Sequence, residues 1–345
     1  MSKVTIYDVA ERAGVAPSTV SRAFSLPGRV NAVTRERITA AAAELGYQPK
    51  GQTQPGGRHR TIAMVLADIT NPHFFELIRG AEQRAKAASH TLVLVNAEES
   101  AGIELAQVHD LTPKVDGFVL ASSRLPDQEL RDLAAHHQVV LLNRELEGLV
   151  SVRLDTESGC RQILEHLTSL GHRRFTYCAG PPGSWMGAAR WAALSSAAET
   201  YGLEARRIGP YTPTVASGGA AADAALRPDT TALVAHNDLL AMGIIRRLTA
   251  RGVRVPEEVS VIGFDNIFAA DLVRTPLTTL GGPGADAGRR AVDLLLASLD
   301  RRPVRSGSVS DTAGDRVVLP TELVLRESSG PADPERRDGV AELRR

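Results

Sequence analysis

The sequence predicts a small all-α helix-turn-helix headpiece followed by an α/β body of two lobes with parallel sheets. Three observations predict this fold class. Short amphipathic segments with helix caps fill the first fifty residues. From Thr61 onward, apolar strand-like runs alternate with helical ones, which is typical of parallel sheets covered on both faces. The alternation restarts after Leu154, so two lobes with a cleft between them are expected.

Three helices are expected in the headpiece. Thr5 is a helix cap, Asp8 lies at the positive end of the helix dipole, and Gly14 ends this first helix in a left-handed conformation. Pro17 suits the first turn of a second helix, and Asn31 caps a third. Two short helices joined by a turn around one glycine predict a helix-turn-helix.

Charge is distributed unevenly along the chain, although its formal net charge is +0. Residues 1–60 hold nine basic and four acidic side chains, a net charge of +5, so the remaining residues carry −5. A basic headpiece on a mildly acidic body is the electrostatic pattern expected when one module alone contacts phosphate groups.

The body is predicted to alternate strands and helices throughout. Strands are expected at 62–67, 91–95, 117–120, 139–142, 152–154, 175–179, 232–235, 259–263 and 317–325. Helices are expected at 74–88, 130–136, 159–170, 188–201, 239–251 and 286–299. The last helix and the last strand are expected to cross back between the lobes.

Several classes of protein are excluded. Cys160 and Cys178 lie in apolar patterns and form neither a metal-binding spacing nor a disulfide framework. No apolar run reaches the ~18 residues of a membrane span, and the N-terminus lacks a signal-peptide pattern, so a cytoplasmic protein without a membrane partner is expected. No phosphate-binding loop, dinucleotide fingerprint or nucleophile motif occurs in context. We expect no enzyme activity, no catalytic residue, no metal site and no cofactor.

The headpiece resembles the DNA-binding module of the lactose/galactose-repressor (LacI/GalR) family. The match lies in the runs Asp8–Ala10, Gly14–Val15, Thr19–Arg22, Thr34–Arg35 and Leu45–Pro49. The resemblance covers about residues 4 to 328, and it implies a periplasmic-binding-protein-like body that binds an effector between its lobes.

The segment 50–60 is polar, glycine-rich and basic, which predicts a linker. In the family that the headpiece resembles, this segment forms a short hinge helix on DNA and inserts a leucine into the minor groove. Gly56 stands where that leucine would fall, so a flexible tether is expected here, with a hinge helix as the alternative.

The outward face of the second helix is expected to read DNA. Base contacts are assigned to Ser18 and Arg22, because an arginine fork binds a guanine edge and serine takes either sense of hydrogen bond. Pro17 offers apolar contact alone, for instance to a thymine methyl group. Candidate phosphate contacts, which orient the headpiece without specifying sequence, are Tyr7, Thr19, Ser21, Ser25, Arg29, Asn31 and Thr34. An ordinary solvated helix face is the alternative.

Candidate effector contacts follow the carboxyl ends of predicted strands, where ligands of open α/β sheets bind. They are Asp68, Asn143, Arg144, Arg190, Asn237 and Asp265. By resemblance, Arg190, Asn237 and Asp265 form the polar clamp on the effector, and such groups can bridge adjacent sugar hydroxyls. Aromatic side chains that can stack on the apolar face of a sugar ring are Trp185 and either Phe74 or Phe75.

Each of these candidates has a structural alternative. Asn237 is placed to cap the helix that follows it, and Asp265 to cap a turn. Arg190 suits a surface ion pair, and Trp185 suits a filler of the lobe interface.

The resulting hypothesis is a dimeric repressor of transcription that binds an inverted-repeat operator in double-stranded DNA. A small-molecule effector, a sugar by resemblance, is expected to modulate this binding; the alternative is a sugar-binding module without effective DNA regulation. The predicted segments are a headpiece at 1–49, a hinge or linker at 50–60, a body at 61–328 and a disordered tail at 329–345. Lobe 1 is expected to take 61–155 and 284–311, and lobe 2 to take 156–283 and 312–328.

Overall fold

The structure, a computed structural model, describes residues 4–25, 29–47, 59–300 and 316–337. Ser25 and Arg337 are described by their backbone alone. The chain divides into two compact units, residues 1–59 and 60–345. Among the helices described, none is long and apolar enough to cross a membrane. The predicted linker lies almost wholly outside the described residues.

Three helices build the first unit and share one core. They are α1 (Ile6–Ala13), α2 (Pro17–Ser25) and α3 (Ala32–Leu45). Val9, Val20 and Ile38 supply one fully buried side chain from each helix. Isolated helices of this length are marginal in water, so the shared core is what stabilises them.

The ends of the headpiece helices are fastened locally. The Asp8 carboxylate accepts hydrogen bonds from the Thr5 backbone nitrogen at 2.6 Å and from the Thr5 hydroxyl at 2.7 Å. These bonds lower the pKa of Asp8, the hydroxyl having the larger effect. Gly14 ends α1 with a φ of 63°, and the Asn31 side chain accepts from the Val33 backbone nitrogen at 2.9 Å. The sequence signals for these caps therefore correspond to real contacts.

The second unit alternates strands and helices along the chain. Its first half contains β1 (Thr61–Leu66), α4 (His73–Ala87), β2 (Thr91–Asn96), α5 (Ala101–Leu111), β3 (Gly117–Ala121), α6 (Asp127–His136), β4 (Gln138–Leu142) and β5 (Val150–Leu154). There follow α7 (Thr156–Ser169), β6 (Arg174–Cys178), α8 (Trp185–Tyr201), β7 (Glu204–Ile208), α9 (Gly218–Ala225), β8 (Ala232–Ala235), α10 (Asp238–Ala250) and β9 (Ser260–Phe264). The chain returns through β10 (Thr278–Gly281), α11 (Gly284–Asp300), β11 (Arg316–Leu319), β12 (Glu322–Val324) and α12 (Pro334–Arg337).

Two six-stranded sheets define the two lobes. Lobe 1 has the strand order β11-β5-β4-β3-β1-β2, with every pair parallel. Lobe 2 has the order β12-β10-β9-β8-β6-β7, in which β12 alone runs antiparallel to its neighbour. In lobe 1, α4 and α11 contribute to one buried cluster, and α5 and α6 contribute to another. The α7–α8 and α9–α10 pairs do the same in lobe 2, which explains the near-continuous apolar strands.

The chain passes between the lobes after β5, after β10 and after β11. At the last crossing, the single strand predicted at 317–325 is wrong. Leu319 pairs with Leu154 in lobe 1, whereas Glu322 pairs with Gly281 in lobe 2. Pro320 separates them, and a proline without a backbone N–H ends the first ladder. β11 therefore belongs to lobe 1, although the sequence places 312–328 in lobe 2.

The prediction of a disordered tail from residue 329 is wrong for residues 329–337. The Ala332 backbone nitrogen donates to the Leu170 carbonyl at 2.8 Å, and the His172 Nε2 lies 3.1 Å from the Gly330 carbonyl oxygen. The tail is polar in sequence, but buried polar groups of lobe 2 supply partners for its backbone. Residues 338–345 lie outside the described part.

Candidate functional site

A cleft lies between the two lobes, where the carboxyl ends of the strands of both sheets face each other. Lobe 1 lines it with Asn71, His73, Phe74, Glu99, Ser122, Arg124 and Asn143. Lobe 2 lines it with Ser184, Met186, Arg190, Pro213, His236, Asn237 and Asp265.

Several cleft residues have left-handed backbone conformations. Glu99, Ser122 and Asn143 follow the ends of three lobe 1 strands with φ values of 57°, 56° and 57°. Asp265 follows β9 with a φ of 103°. Such conformations are costly for most residues other than glycine and asparagine, and they concentrate at sites where side chains must be aimed. These loops therefore hold their side chains toward the cleft at the expense of local strain.

Arg190 is the best-anchored charge in the cleft. Its Nη2 donates to Asp265 Oδ1 at 2.8 Å, its Nη1 donates to the carbonyl of His236, and its guanidinium carbon lies 4.4 Å from the centre of the Phe264 ring. Arg190 is 7% exposed, and its buried Nε has no hydrogen-bond partner among the described residues. An unsatisfied buried donor is costly, so this position favours an acceptor from a ligand.

Contacts across the cleft centre on His73. Its Nδ1 lies 3.6 Å from Asp265 Oδ1 in the opposite lobe, and its Nε2 lies 3.1 Å from Asn143 Nδ2 in its own lobe. Burial lowers the pKa of His73 and the charge of Arg190 adds to this, while Asp265 opposes both. Asn143 is 3% exposed, and its Oδ1 is a second buried atom without a described partner.

His236 forms part of the lobe 2 wall. Its Nδ1 lies 3.2 Å from the Tyr177 hydroxyl. Burial lowers the pKa of His236 well below its ordinary value, and the positive charges of Arg190 and Arg124 lower it further. The two cleft histidines are therefore neutral near pH 7 and act as hydrogen-bonding groups.

Asn237 combines the two roles considered for it. Its Oδ1 accepts from the Leu240 backbone nitrogen at 3.0 Å, which caps α10, and its Nδ2 donates to the Pro213 carbonyl at 3.1 Å. It nevertheless lines the cleft. The cap fixes the side chain that the cleft uses, so the structural and the ligand-facing roles coexist.

Five of the seven predicted effector contacts come together in the cleft: Phe74, Asn143, Arg190, Asn237 and Asp265. Asp68 and Trp185 do not line it. The Asp68 Oδ1 accepts from the Thr70 backbone nitrogen at 2.9 Å and from its hydroxyl at 2.7 Å, so this carboxylate caps a turn. Trp185 lines a separate groove beside Glu145 and Arg153.

Two other candidates from the sequence also lie outside the cleft lining. The Arg144 guanidinium turns inward and donates to the Ser123 carbonyl and to Asp127. Phe75 is 46% exposed, and its ring stacks on that of Phe268 with centroids 6.4 Å apart.

Several residues that line the cleft are not among those predicted from the sequence. These include His73, Glu99, Ser122, Arg124, Met186 and His236. Four of them follow strand ends by one to three residues, as Asn143, Asn237 and Asp265 do, but the sequence alone does not show which residue in such a loop turns inward. Within the described part of the chain, no group of three or more His, Cys, Asp or Glu side chains is placed to bind a metal ion.

The outward face of α2 is polar and largely accessible to solvent, as the sequence predicts. Ser18, Ser21 and Arg22 are exposed, and Pro17 and Thr19 are half-buried. The other predicted contacts to phosphate with described side chains are Tyr7, Arg29 and Asn31, which are exposed, and Thr34, which is half-buried. The Ser25 side chain lies outside the described part.

A helix-turn-helix unit followed in sequence by a two-lobe α/β body with a polar cleft defines a class of ligand-responsive DNA-binding proteins. Comparison with known proteins gives the family. Residues 5–50 match the model of the lacI family of bacterial regulatory proteins, and residues 164–329 match a periplasmic binding protein-like domain.

The HTH-type transcriptional repressor CytR of Escherichia coli (strain K12) is 33% identical over an alignment of 342 positions, which covers 94% of this chain and 96% of CytR. The chain belongs to the lacI family of bacterial regulatory proteins. It is a DNA-binding regulator of transcription and not an enzyme, and the alternative of a binding module without DNA regulation is not supported.

Solved structures agree with this assignment. The transcriptional regulator CelR in complex with cellobiose has a TM-score of 0.69 and 29% identity, over 94% of this chain and all of that one. The Lac repressor dimer bound to operator and the anti-inducer ONPF has a TM-score of 0.69 and 26% identity, over 95% of this chain and all of that one. The predicted fold class, a headpiece with a two-lobe periplasmic-binding-protein-like body, is confirmed.

Proposed function

We propose that this protein is a cytoplasmic, homodimeric repressor whose affinity for an inverted-repeat operator changes when a sugar binds between its two lobes. A homodimer has two headpieces, and its two-fold symmetry matches the symmetry of an inverted repeat. The Lac repressor dimer bound to operator supports the proposed binding of DNA by a dimer. The cellobiose complex of CelR supports the proposed sugar effector.

One observation carries the effector half. Asn143 Oδ1 and Arg190 Nε are buried atoms without described partners, and they belong to cleft side chains of opposite lobes. The first needs a donor and the second an acceptor, and a hydroxyl group is both at once. A polyhydroxylated ligand would therefore satisfy both lobes together, and it would favour the arrangement in which the lobes can share it.

Effector contacts are assigned to Phe74, Asn143, Arg190, Asn237 and Asp265, together with His73 of lobe 1. Base contacts are assigned to Ser18 and Arg22, whose exposed side chains lie on one helix. The remaining operator contacts are assigned to Tyr7, Pro17, Thr19, Ser21, Ser25, Arg29, Asn31 and Thr34.

Effector and operator are coupled through the lobe arrangement. The coupling free energy equals the difference in the ligand's affinity for the two arrangements, typically about 1–3 kcal/mol. The same free energy acts in both directions, so operator DNA must change the affinity for the sugar by the factor by which the sugar changes the affinity for DNA.

The test is fluorescence anisotropy of the purified protein with a labelled duplex from upstream of its own gene. A scrambled duplex is the control, and each titration is run at two salt concentrations because phosphate contacts are salt-dependent. Tighter binding of the upstream duplex supports the regulator, and a panel of neutral sugars is then added to find one that shifts the curve. Equal affinity for the two duplexes, with no sugar effect on either, contradicts the proposal.

A further inference from the structure

Lobe 1 carries a second arginine in the cleft, opposite the Arg190 wall. Arg124 follows β3, and its side chain is 8% exposed. Its Nε donates to Glu99 Oε2 at 2.7 Å, its Nη2 lies 2.6 Å from the same oxygen, and its Nη1 donates to the Ser122 carbonyl at 2.7 Å. Each of its three guanidinium nitrogens is therefore engaged.

The backbone holds this pair in place from both sides. The Arg124 backbone nitrogen donates to Glu104 Oε2 at 2.7 Å, and Glu104 is 1% exposed. Glu99 and Ser122 both have φ values in the left-handed region, 57° and 56°. An anchor on a buried carboxylate and two strained residues make the pair a fixed part of the cleft wall.

The cleft contains two arginines, and each has its own carboxylate. Arg190 is bound to Asp265 in lobe 2, and Arg124 is bound to Glu99 in lobe 1. His73 and His236 add no positive charge, because burial lowers the pKa of both. Among the lining residues, charge is therefore balanced within each lobe.

We infer that Arg124 and Glu99 form a second polar clamp, and that this charge-balanced cleft takes an uncharged polyhydroxy ligand and rejects the phosphate ester of the same ligand. The inference rests on the proposed function, since it specifies the chemistry of the effector in that site. It goes further by assigning Arg124 and Glu99 as contacts and by excluding a class of metabolite that an arginine-lined cleft would otherwise suit.

The reason lies in how few guanidinium nitrogens of each arginine remain free to bind a phosphate group. A phosphate group binds arginine best through two parallel charge-assisted hydrogen bonds. Here Glu99 already accepts from Nε and Nη2 of Arg124, and Asp265 accepts from Nη2 of Arg190, which leaves Nε of Arg190 as the one nitrogen of the two guanidinium groups without a described partner. A phosphate monoester carries nearly two negative charges at neutral pH and would lie beside both carboxylates in a partly desolvated cleft. A hydroxyl group avoids this repulsion, because it can donate to the carboxylate and leave the ion pair intact.

The first experiment compares matched ligand pairs on the full-length protein by thermal shift and isothermal titration calorimetry. The pairs are ribose with ribose 5-phosphate, glucose with glucose 6-phosphate, and fructose with fructose 1-phosphate. We expect any phosphate ester of a sugar that binds to bind at least about tenfold more weakly than the sugar itself. Preferential binding of the phosphorylated member of a pair overturns the inference. It would not contradict the proposal that the protein is a ligand-responsive regulator.

The second experiment needs no knowledge of the effector. Glu99→Gln removes the carboxylate charge and leaves Arg124 positive, so inorganic phosphate should stabilise this variant in a concentration-dependent way and have no such effect on the native protein. The double variant Glu99→Gln/Arg124→Gln should lose that response. Asp223→Asn is the matched control, because it unpairs the exposed Arg247 and the half-buried Arg251 outside the cleft lining.

The outcomes of the phosphate titration separate the possibilities. A response in Glu99→Gln alone supports neutralisation of Arg124 by Glu99. Phosphate binding to the native protein that Arg124→Gln abolishes contradicts it, as does an equal response in Asp223→Asn. If no neutral sugar and no phosphate ester binds the native protein, the proposed sugar effector fails, while the phosphate titration still decides whether Glu99 neutralises Arg124.

Discussion

Arg190 and Asp265 form a buried ion pair within lobe 2, 2.8 Å between Nη2 and Oδ1, and Asp265 also faces His73 of lobe 1 at 3.6 Å. The Asp265 carboxylate thus fixes the arginine of its own lobe and also approaches the histidine of the opposite lobe. The Asp265 backbone, at a φ of 103°, is strained to put it there.

Replacing Asp265 should affect both stability and effector response. Asp265→Ala leaves Arg190 as a buried charge without its carboxylate, so we expect a loss of about 3–5 kcal/mol in the free energy of unfolding. Asp265→Asn should lose less, because an amide oxygen still accepts from Arg190 and asparagine tolerates left-handed φ values. Urea unfolding of both variants is the measurement, with Asp223→Ala as an exposed ion-pair control that should lose about 0–1 kcal/mol. Equal losses in the two Asp265 variants would contradict the role of the ion pair.

Base contacts in the headpiece should be separable from phosphate contacts. Arg22→Ala should cost about 1–3 kcal/mol with the operator and far less with scrambled DNA, and Ser18→Ala should relax discrimination at one base pair. Tyr7→Phe, which alters a candidate phosphate contact, should weaken the binding of the operator and of scrambled DNA by the same factor. Anisotropy titrations of the three variants test this. An equal loss on both duplexes for Arg22→Ala would remove Arg22 from base readout.

The sequence was most informative where one local signal determines one local structure. Thr5, Asp8, Gly14 and Asn31 marked helix ends correctly, because caps depend on residues a few positions apart. The two-lobe body was likewise evident, since apolar strands in parallel sheets need no knowledge of distant partners.

Long-range contacts are where sequence reasoning failed. Nothing local in the polar segment after Glu327 shows that His172, far back in the chain, will bind its backbone. The direction of a loop side chain is equally hidden: Arg124 turns into the cleft and Arg144 turns away from it, although both follow strands by two or three residues. The side chain of Arg124 pairs with Glu99, which follows β2, whereas that of Arg144 pairs with Asp127 at the start of α6.

Trp185 should be dispensable for effector binding. It lines a groove with Glu145 and Arg153 and does not line the cleft. Trp185→Phe should therefore keep the affinity for a sugar found in the screen within about twofold, as is usual for substitutions away from a site. Arg190→Gln should abolish binding. Calorimetry of both variants with the same sugar is the measurement, and a tenfold loss in Trp185→Phe would place Trp185 back in the effector site.

Stability should fall on acidification through a contact between lobe 2 and the tail. His172 Nε2 lies 3.1 Å from the Gly330 carbonyl oxygen and its Nδ1 lies 3.0 Å from the Thr231 hydroxyl, so the neutral ring donates to one and accepts from the other. Burial lowers the pKa of His172 from 6.5 to about 4. Between pH 6.5 and 4 the unfolded chain binds a proton that the folded protein does not. The free energy of unfolding therefore decreases as the pH falls through this range, by up to about 3 kcal/mol.

His172→Gln isolates this contribution, because glutamine keeps a donor and an acceptor but does not titrate. We expect urea unfolding of the native protein to lose more stability between pH 7.5 and pH 5 than that of the variant does. His136→Gln, on the exposed end of α6, is the control for removing a histidine. Because His73 and His236 also have lowered pKa values, the variant should reduce the pH dependence without abolishing it. An unchanged pH dependence in His172→Gln would mean that the tail opens before the ring is protonated, so that this contact does not limit acid stability.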